Sequence, residues 1–441
     1  MSGDDQGYME RAIDLAECGL YTTSPNPRVG CVLVLDGQII GEGYHVRAGL
    51  GHAEVNAIAD ARVKGLSPEG ATAYVSLEPC FHFGKTPPCC EALVEAGVSR
   101  VVVGMEDPNP LVAGKGSQRL REAGISVDSG VLEQQARALN PGFIKRMSVG
   151  LPWLRAKSAM SLDGRTAMAS GESQWITGPA ARSDVQRLRA RSCAIVSGVD
   201  TVVMDNASLT VRAEQLGLDD AHQAALIAER QPLRVVLDST MRLPATANIL
   251  SQPGHTMVVA ATENPPAQQA LEAAGAEVLI LPGADGRVDL LALLKQLADC
   301  QCNEVLLEAG PTLIGAFWQQ QLIDEWSVYM APTLLGSEAR PLLEQLAKIT
   351  MWWNKTLMPI YRLAVSEADK NGLYEWRIGA TEEHCKTCVK ADGQRHRMKW
   401  WTSSGILPQA SVLDCQGYRC RCTLVRVVGK SQGRLNRIPT R

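Results

Sequence analysis

The sequence has no long apolar run, no export signal and no glycine motif of the kind that binds dinucleotides. No stretch of the 441 residues approaches the roughly 18 consecutive apolar residues that a membrane helix needs. The polar N-terminus lacks the charged-then-apolar pattern of a signal peptide, so we expect a cytoplasmic protein without a membrane span. No GxGxxG follows a predicted strand, which argues against a Rossmann fold.

One histidine and two cysteines are spaced like the ligands of a catalytic zinc ion. His52 begins a His-Ala-Glu triplet, and Cys80 and Cys89 each follow a proline. Three protein ligands leave the fourth tetrahedral position open for a water, whose pKa zinc lowers to about 7. Glu54 would then move protons, as the glutamate of zinc deaminases does. A surface histidine with ordinary apolar cysteines is the alternative, but the combined pattern favours zinc.

The pattern around these residues alternates between strands and helices. Residues 30–35 and 39–43 are predicted strands joined by an Asp36-Gly37 turn, and residues 73–77 form the next strand. His52 opens one predicted helix and Cys89 another, so two helix N-termini would face the metal and favour thiolate over thiol. Cys90 should point away from the metal.

The remaining cysteines are expected to be reduced, because a zinc-thiolate enzyme requires cytosolic redox conditions. Five of them lie within helical or strand patterns and are predicted to be core residues: Cys18, Cys31, Cys193, Cys300 and Cys302.

Residues 8–147 resemble the deaminase half of the bifunctional riboflavin-pathway deaminase/reductases. Two segments carry the resemblance: Ser24-Pro25-Asn26-Pro27-x-Val29-Gly30 and Pro79-Cys80-x-His82-x-Gly84-x-Thr86-Pro87-Pro88-Cys89. The resemblance implies a cytidine-deaminase-like three-layer αβα domain over residues 1–147. It also implies that the substrate is 2,5-diamino-6-(5-phosphoribosylamino)pyrimidin-4-one, that zinc is held by His52, Cys80 and Cys89, and that Asn26 orients the base.

A second domain is expected over residues 148–345. After a buried strand at residues 303–307, a Gly310-Pro311-Thr312 turn opens a helix whose free N–H groups suit a phosphate. An ordinary strand-to-helix turn is the alternative. Together with residues 158–165, 171–177 and 205–212, this turn resembles the reductase half of the same enzymes, which is a dihydrofolate-reductase-like α/β domain that uses NADPH.

This second resemblance implies two sets of binding residues. NADPH would contact Ala159, Trp175, Thr201, Asp205, Gly310, Pro311, Thr312, Leu313, Ile314, Gly315 and Ala316. The phosphoribosyl substrate would contact Ser173, Arg189, Leu209, Arg212 and Glu308, since the arginine fork suits its phosphate. Hydride transfer to the ribose C1 needs a proton relay, for which Lys157 and Glu308 are the candidates. A solvated lysine and a glutamate bound to substrate hydroxyls are the alternatives.

Residues 346–441 differ sharply in composition from the rest. They carry 17 Lys+Arg against 7 Asp+Glu, with five of the nine tryptophans and five of the 13 cysteines. The spacings Cys385-x₂-Cys388 and Cys415-x₄-Cys420-x-Cys422 predict either a second, structural zinc or a buried thiol cluster. Residues 383–424 resemble the C-terminal region of phage head-assembly proteins, which suggests a foreign origin. Residues 360–365 and 373–378 would form either a hairpin that completes the reductase or a helix.

The sequence therefore predicts an α/β enzyme of riboflavin biosynthesis, with a zinc deaminase followed by an NADPH-dependent reductase and a small basic Cys-rich tail. Its partner is a small phosphoribosyl pyrimidine, and we expect a homo-oligomer. Nucleic acid is not an expected partner, because the catalytic portion is acidic. The alternative is a deaminase-only fusion with an inactive reductase half and a phage-type interaction tail.

Overall fold

The computed structural model describes residues 3–81, 87–110, 112–168, 170 and 178–342, together with three strands of the tail. Two compact units form, Met1–Glu344 and Gln345–Arg441. The helices are α1 (Gly3–Glu17), α2 (Ala53–Val63), α3 (Cys89–Glu95), α4 (Lys115–Glu122), α5 (Glu133–Leu139), α6 (Pro141–Val149), α7 (Pro179–Arg191), α8 (Val199–Met204), α9 (Ala221–Ala228), α10 (Asn248–Ser251), α11 (Pro265–Ala273), α12 (Leu290–Asp299) and α13 (Pro311–Gln319).

The strands of the first unit are β1 (Gly30–Leu35), β2 (Gln38–Tyr44), β3 (Thr72–Leu77), β4 (Arg100–Met105), β5 (Ser126–Ser129), β6 (Trp153–Ser161), β7 (Arg165–Ala167), β8 (Ala194–Gly198), β9 (Leu233–Leu237), β10 (Thr256–Ala260), β11 (Ala276–Ile280), β12 (Glu304–Glu308), β13 (Glu325–Ala331) and β14 (Arg340–Pro341). Those of the tail are β15 (Leu373–Arg377), β16 (Arg395–Arg397) and β17 (Thr423–Arg426). Among the described residues, no helix is both long and apolar enough to cross a bilayer.

A five-stranded sheet with helices on both faces forms the first half of the unit. Its order is β2-β1-β3-β4-β5, with β1 antiparallel to both neighbours and the remaining pairs parallel. Side chains alternate along β1, so Leu33 packs in one core with α2, α3 and α4, while Val32 packs in another with α1, α5 and α6. The predicted three-layer αβα architecture is confirmed.

Two local features determine where α2, the helix that His52 caps, packs on the sheet. Asp36 and Gly37 both have positive φ, 51° and 77°, which gives the tight β1–β2 hairpin predicted from the sequence. A Cβ at Gly43 would lie 2.4 Å from the backbone N of Ala57, so only glycine allows α2 to pack this closely on β2.

The second half of the unit is built on a seven-stranded sheet in the order β11-β10-β9-β8-β12-β6-β13. All of its pairs are parallel. The strand order reverses where β12 lies between β6 and β8, and the crevice at the carboxyl ends of strands at such a point is where α/β sheets bind ligands. The predicted α/β class is confirmed for this half too.

A buried carboxylate joins the two halves. Glu304, at the start of β12, is 2% exposed and accepts hydrogen bonds from three arginines: Arg28 of the first half, Arg155 at 3.2 Å and Arg191 at 3.1 Å. Burial alone would raise the pKa of Glu304, but the charges of Arg28, Arg191 and Arg155 outweigh it and lower that pKa to about 2.

The expectation for the cysteines is partly wrong. Cys31 and Cys302 are buried, but Cys18 and Cys300 are exposed. Cys18 follows the last turn of α1, and Cys300 is the C-cap of α12, so both stand at helix ends beyond the buried stripe.

The tail strands form an antiparallel sheet in the order β16-β15-β17. A strand forms within residues 373–378, but the predicted hairpin is wrong, because β15 is paired with β16 on one side and β17 on the other. The proposed partner at residues 360–365 and the cysteine motifs lie outside the described residues, as does most of the phage-like stretch.

We expect Glu304→Gln to lower Tm markedly at pH 7, because breaking one side of a buried ion pair costs about 3–5 kcal/mol. The folded-state pKa lies below the unfolded value of about 4.3, so the carboxylate stabilises the fold above that pH and its contribution is lost as pH falls toward 2. The Tm difference between variant and wild type should therefore narrow between pH 5 and about 3. Calorimetry across that range tests this, and a constant difference would contradict it.

Glu229→Gln is the matched control. Glu229 pairs with Arg47 across the same two halves, but their side chains are 62% and 41% exposed. Exposed ion pairs contribute about 0–1 kcal/mol, so this variant should melt close to wild type at every pH.

Candidate zinc and reductase sites

The structure brings the three predicted metal ligands together at one end of the five-stranded sheet. His52 Nδ1 lies 3.1 Å from Cys89 Sγ and 3.6 Å from Cys80 Sγ. All three ligand atoms lie within 4.8 Å of one another. A tetrahedral zinc with bonds of about 2.0 Å to nitrogen and 2.3 Å to sulfur needs these atoms about 3.6 Å apart. The donor set and its spacing fit zinc.

Helix ends and one strand end present these ligands. His52 is the N-cap of α2, Cys89 is the first residue of α3, and Cys80 follows β3. Hydrogen bonds from the Cys89 thiol, from His52 and from the Cys89 backbone N–H outweigh burial and lower the pKa of Cys80 to about 4. The pKa of the Cys89 thiol, which donates to Cys80, is correspondingly raised. Cys90 lies in the core instead, as predicted.

Glu54 lies in the first turn of α2 and is 3% exposed. Burial, reinforced by the nearby Cys80, raises the pKa of Glu54 to about 7. A carboxyl group with a pKa near neutrality can both accept and donate a proton at physiological pH, which is what a general acid–base group needs.

Asn26 reaches this site through a residue that the sequence analysis missed. His45 is 2% exposed, and its Nδ1 lies 3.1 Å from the carbonyl oxygen of Gly51. A carbonyl only accepts, so Nδ1 carries the hydrogen and Nε2 accepts from Asn26 Nδ2 at 3.0 Å. The His45 ring meets that of His52 edge-on at 4.9 Å. A lone histidine after a strand carries no motif that would have revealed it.

Glu78 is a second residue that sequence reasoning missed. It is buried directly before Pro79-Cys80, and its carboxylate accepts from the backbone N–H groups of Asp107, Gly114 and Ser117 at 3.2, 3.0 and 2.9 Å. These bonds tie the strand end that bears Cys80 to the loop before α4. The His82–Thr86 part of the predicted metal loop lies outside the described residues.

The reductase candidates gather around the carboxyl end of β12. Lys157 of β6 is paired in register with Glu308 of β12. Arg189 of α7 donates to both oxygens of Glu308, at 2.6 and 2.9 Å. Burial alone would raise the pKa of Glu308, but the charge and hydrogen bonds of Arg189, with a smaller effect of Lys157, lower it. Glu308 is therefore an ionised acceptor.

Two other predicted substrate residues lie on the segment beside Arg189. Arg189 Nη1 donates to Thr210 O at 3.1 Å, between Leu209 and Arg212. Leu209 has a φ of 50°, a left-handed conformation that a leucine rarely adopts. Arg212 Nη2 donates to Ser208 Oγ at 2.5 Å. Ser173 and Trp175 lie outside the described residues.

The candidate NADPH residues lie on neighbouring elements. Gly310 is the N-cap of α13, whose first six residues are Pro311, Thr312, Leu313, Ile314, Gly315 and Ala316. A Cβ on Gly310 would lie 3.8 Å from Thr201 Oγ1 of α8, so the two helices approach here. Asp205 caps the C-terminus of α8; burial raises its pKa and the charge of Lys157 opposes this. Ala159 lies on β6, two residues beyond Lys157.

Two protein-family models match the chain. One describes the cytidine and deoxycytidylate deaminase zinc-binding region and covers residues 2–105. The other describes the RibD C-terminal domain and covers residues 152–373. The riboflavin biosynthesis protein RibD of Escherichia coli is 51% identical over 350 residues, which cover 78% of this chain and 93% of the relative. The chain belongs to the RibD family. The Haemophilus influenzae RibD is 46% identical over 361 residues, with 80% and 93% covered.

Solved RibD structures are similar across both halves. RibD of Acinetobacter baumannii superposes with a TM-score of 0.70 at 51% identity, covering 78% of this chain and 90% of that one. A Thermotoga maritima deaminase/reductase superposes with a TM-score of 0.67 at 33% identity, covering 79% of this chain and 92% of that one. As a RibD-family member, the chain is a bifunctional riboflavin-biosynthesis enzyme, a zinc-dependent deaminase and an NADPH-dependent reductase. The fusion with an inactive reductase half is not favoured, because the relatives match both halves.

Metal analysis of three variants tests the zinc site. Cys89→Ser should lose zinc, because it removes one of three ligands. Glu54→Gln should retain one zinc while deamination slows about 10²–10⁴-fold, because a carboxamide cannot move protons. Cys90→Ser is the matched control, an adjacent buried thiol outside the cluster, and should keep its zinc. Loss of zinc from Cys90→Ser, or from Glu54→Gln, would contradict this assignment.

Proposed function

We propose that residues 1–147 deaminate 2,5-diamino-6-(5-phosphoribosylamino)pyrimidin-4-one and that residues 148–345 reduce the ribose of the product with NADPH. The observation that carries this proposal is the convergence of His52, Cys80 and Cys89 beside the buried Glu54. The Thermotoga maritima relative, described as a diaminohydroxyphosphoribosylaminopyrimidine deaminase and 5-amino-6-(5-phosphoribosylamino)uracil reductase, supports the substrate class.

In the deaminase, His52, Cys80 and Cys89 would hold zinc, which when bound would act as a Lewis acid and lower the pKa of a water to about 7. Glu54 accepts the proton of the attacking water and delivers one to the departing amine. A C–O bond forms as the C–N bond breaks, and ammonia leaves. Asn26, held by His45, orients the pyrimidine ring.

In the reductase, Ser173, Arg189, Leu209, Arg212 and Glu308 hold the phosphoribosyl group. NADPH, which supplies the hydride when bound, is contacted by Ala159, Trp175, Thr201, Asp205 and Gly310–Ala316. The N-terminus of α13 supports this placement, because backbone N–H groups and the helix dipole favour phosphate there.

Lys157 is the better proton donor of the two relay candidates. As hydride adds to the ribose C1, the bond from C1 to the ring oxygen breaks and that oxygen takes a proton. The Arg189 pair keeps Glu308 ionised, which suits it to accept hydrogen bonds from substrate hydroxyls. Lys157, beside Glu308 in the sheet, carries a proton that can be transferred.

Three properties rest on the sequence alone. The homo-oligomer and the cytoplasmic location stay predictions, and so does a second zinc in residues 346–441.

Incubation of the zinc-loaded enzyme with substrate and NADPH tests the two-step function by mass spectrometry. Exchange of the amine for oxygen adds about one mass unit, and reduction adds about two more. Both shifts are expected, in that order. The first shift alone would contradict the reductase half of the proposal, and neither shift in zinc-loaded protein would contradict the substrate.

Substitutions of Lys157 and Glu308 should affect different kinetic constants. Lys157→Met should lower kcat of the reduction about 10²-fold or more, because it removes the proton donor. Glu308→Gln should mainly raise KM for the deaminated substrate, because it weakens hydroxyl binding. Deamination by the same preparations is the internal control and should be unchanged. Equal kcat losses in both variants would contradict the division of roles.

A further inference from the structure

The loop that carries Asn26 touches both halves of the unit. We call residues 24–28 the Asn26 loop. Within its own half, the Asn140 side chain accepts from Arg28 N and donates to Arg28 O, both at 2.8 Å. Asn26 N donates to Thr23 O at 3.0 Å. These hydrogen bonds hold the ends of the loop. Among the described residues of its own half, none donates a hydrogen bond to the carbonyl oxygen of Pro25.

The reductase half supplies the contacts on either side of Asn26. Asn303 Nδ2 donates to Pro25 O at 2.7 Å, and Cys193 Sγ lies 2.9 Å from Ser24 Oγ. On the other side, the Arg28 guanidinium is bound by Glu304. A residue that orients the deaminase substrate is thus held between groups at the start of β8 and β12.

Asn303 is a rigid anchor. Its side chain also accepts from Arg146 Nε at 2.7 Å, and since a guanidinium only donates, the amide oxygen faces Arg146 and the amide nitrogen faces Pro25. Its backbone oxygen accepts from Trp153 N at 2.8 Å. A Cβ on Gly142 would lie 2.3 Å from that same oxygen, so α6 packs directly against it. Asn303 is 6% exposed.

We propose that Asn303, although it belongs to the reductase half, is a positioning residue for deamination. Its hydrogen bond to Pro25 O sets the Asn26 loop and thereby the carboxamide that receives the pyrimidine. The inference rests on the proposed role of Asn26. When only a fraction of molecules holds the binding-competent loop, the apparent affinity for substrate falls by that fraction. Loss of the anchor therefore acts on KM for the pyrimidine and leaves zinc in place.

Asn303→Asp tests this contact selectively. The aspartate keeps an oxygen for Arg146 but places an oxygen, in place of the N–H donor, against Pro25 O. We expect KM for deamination to rise about tenfold, with a smaller change in kcat, one zinc per chain and unchanged KM for NADPH.

Two controls separate positioning from general docking of the halves. Arg146→Met removes the other hydrogen-bond partner of the Asn303 side chain but leaves its bond to Pro25 O. Lys145→Met breaks a different ion pair between the halves, with Asp324 at 2.6 Å, which does not touch the Asn26 loop. Both should keep KM for deamination within about twofold of wild type. A tenfold rise in Lys145→Met as well would overturn the proposal in favour of general docking.

Two more variants distinguish a failure of the proposed role of Asn26 from a failure of the proposed role of Asn303. Asn26→Ala should raise KM for the pyrimidine at least as much as Asn303→Asp does. If Asn26→Ala leaves KM unchanged, the proposed role of Asn26 fails; if it raises KM while Asn303→Asp does not, only the positioning inference fails. If Asn303→Asp does not fold, Asn303→Ala removes the same donor to Pro25 O, and an unchanged KM there overturns the inference.

Discussion

The carboxylate of Glu304, buried among three guanidinium groups, is the interaction on which the arrangement of the two halves depends. An isolated buried carboxylate would not stay ionised, and the buried Arg28 and Arg155 would be equally costly without an acidic partner. Together they satisfy one another, and Arg155 also pairs with Glu325 at 2.7 Å. Since Arg28 comes from the first half and the others from the second, the cluster forms only when both halves are in place.

Both chemical sites extend from this junction. Arg28 ends the loop that carries Asn26, and Glu304 begins the strand that ends in Glu308. Four residues of extended strand span about 13 Å, so one short element connects the arginine cluster to the reductase candidates. Helix α7 runs alongside, with Arg191 bound to Glu304 and Arg189 to Glu308.

The two sites use element ends in different ways. In the deaminase half, helix N-termini present His52 and Cys89. In the reductase half, β12 ends at Glu308, Lys157 of the neighbouring β6 is paired with it, and α13 begins shortly after β12. Burial raises the pKa of Glu54, whereas at Glu308 the charge and hydrogen bonds of Arg189 outweigh burial and lower the pKa.

The local features could be read from the sequence because short segments determine them. The Asp36-Gly37 turn, the helix that begins after His52 and the helix that begins at Cys89 all follow from residues within a few positions of each other. The metal ligands could also be predicted from the sequence, because zinc chemistry limits them to a few residue types at recognisable spacings. The zinc site and the order of strands and helices around it were therefore predictable.

Tertiary packing alone decided the long-range contacts. The bonds from Arg28 to Glu304 and from Asn303 to Pro25 join residues more than 270 positions apart, and no local pattern marks either partner. His45 contacts Asn26, 19 positions earlier, and Glu78 accepts from backbone N–H groups 29 to 39 positions later; Cys18 and Cys300 are exposed because of where their helices end. The sequence by itself determined which groups can do the chemistry; the packing of one half on the other decided which groups hold them in place.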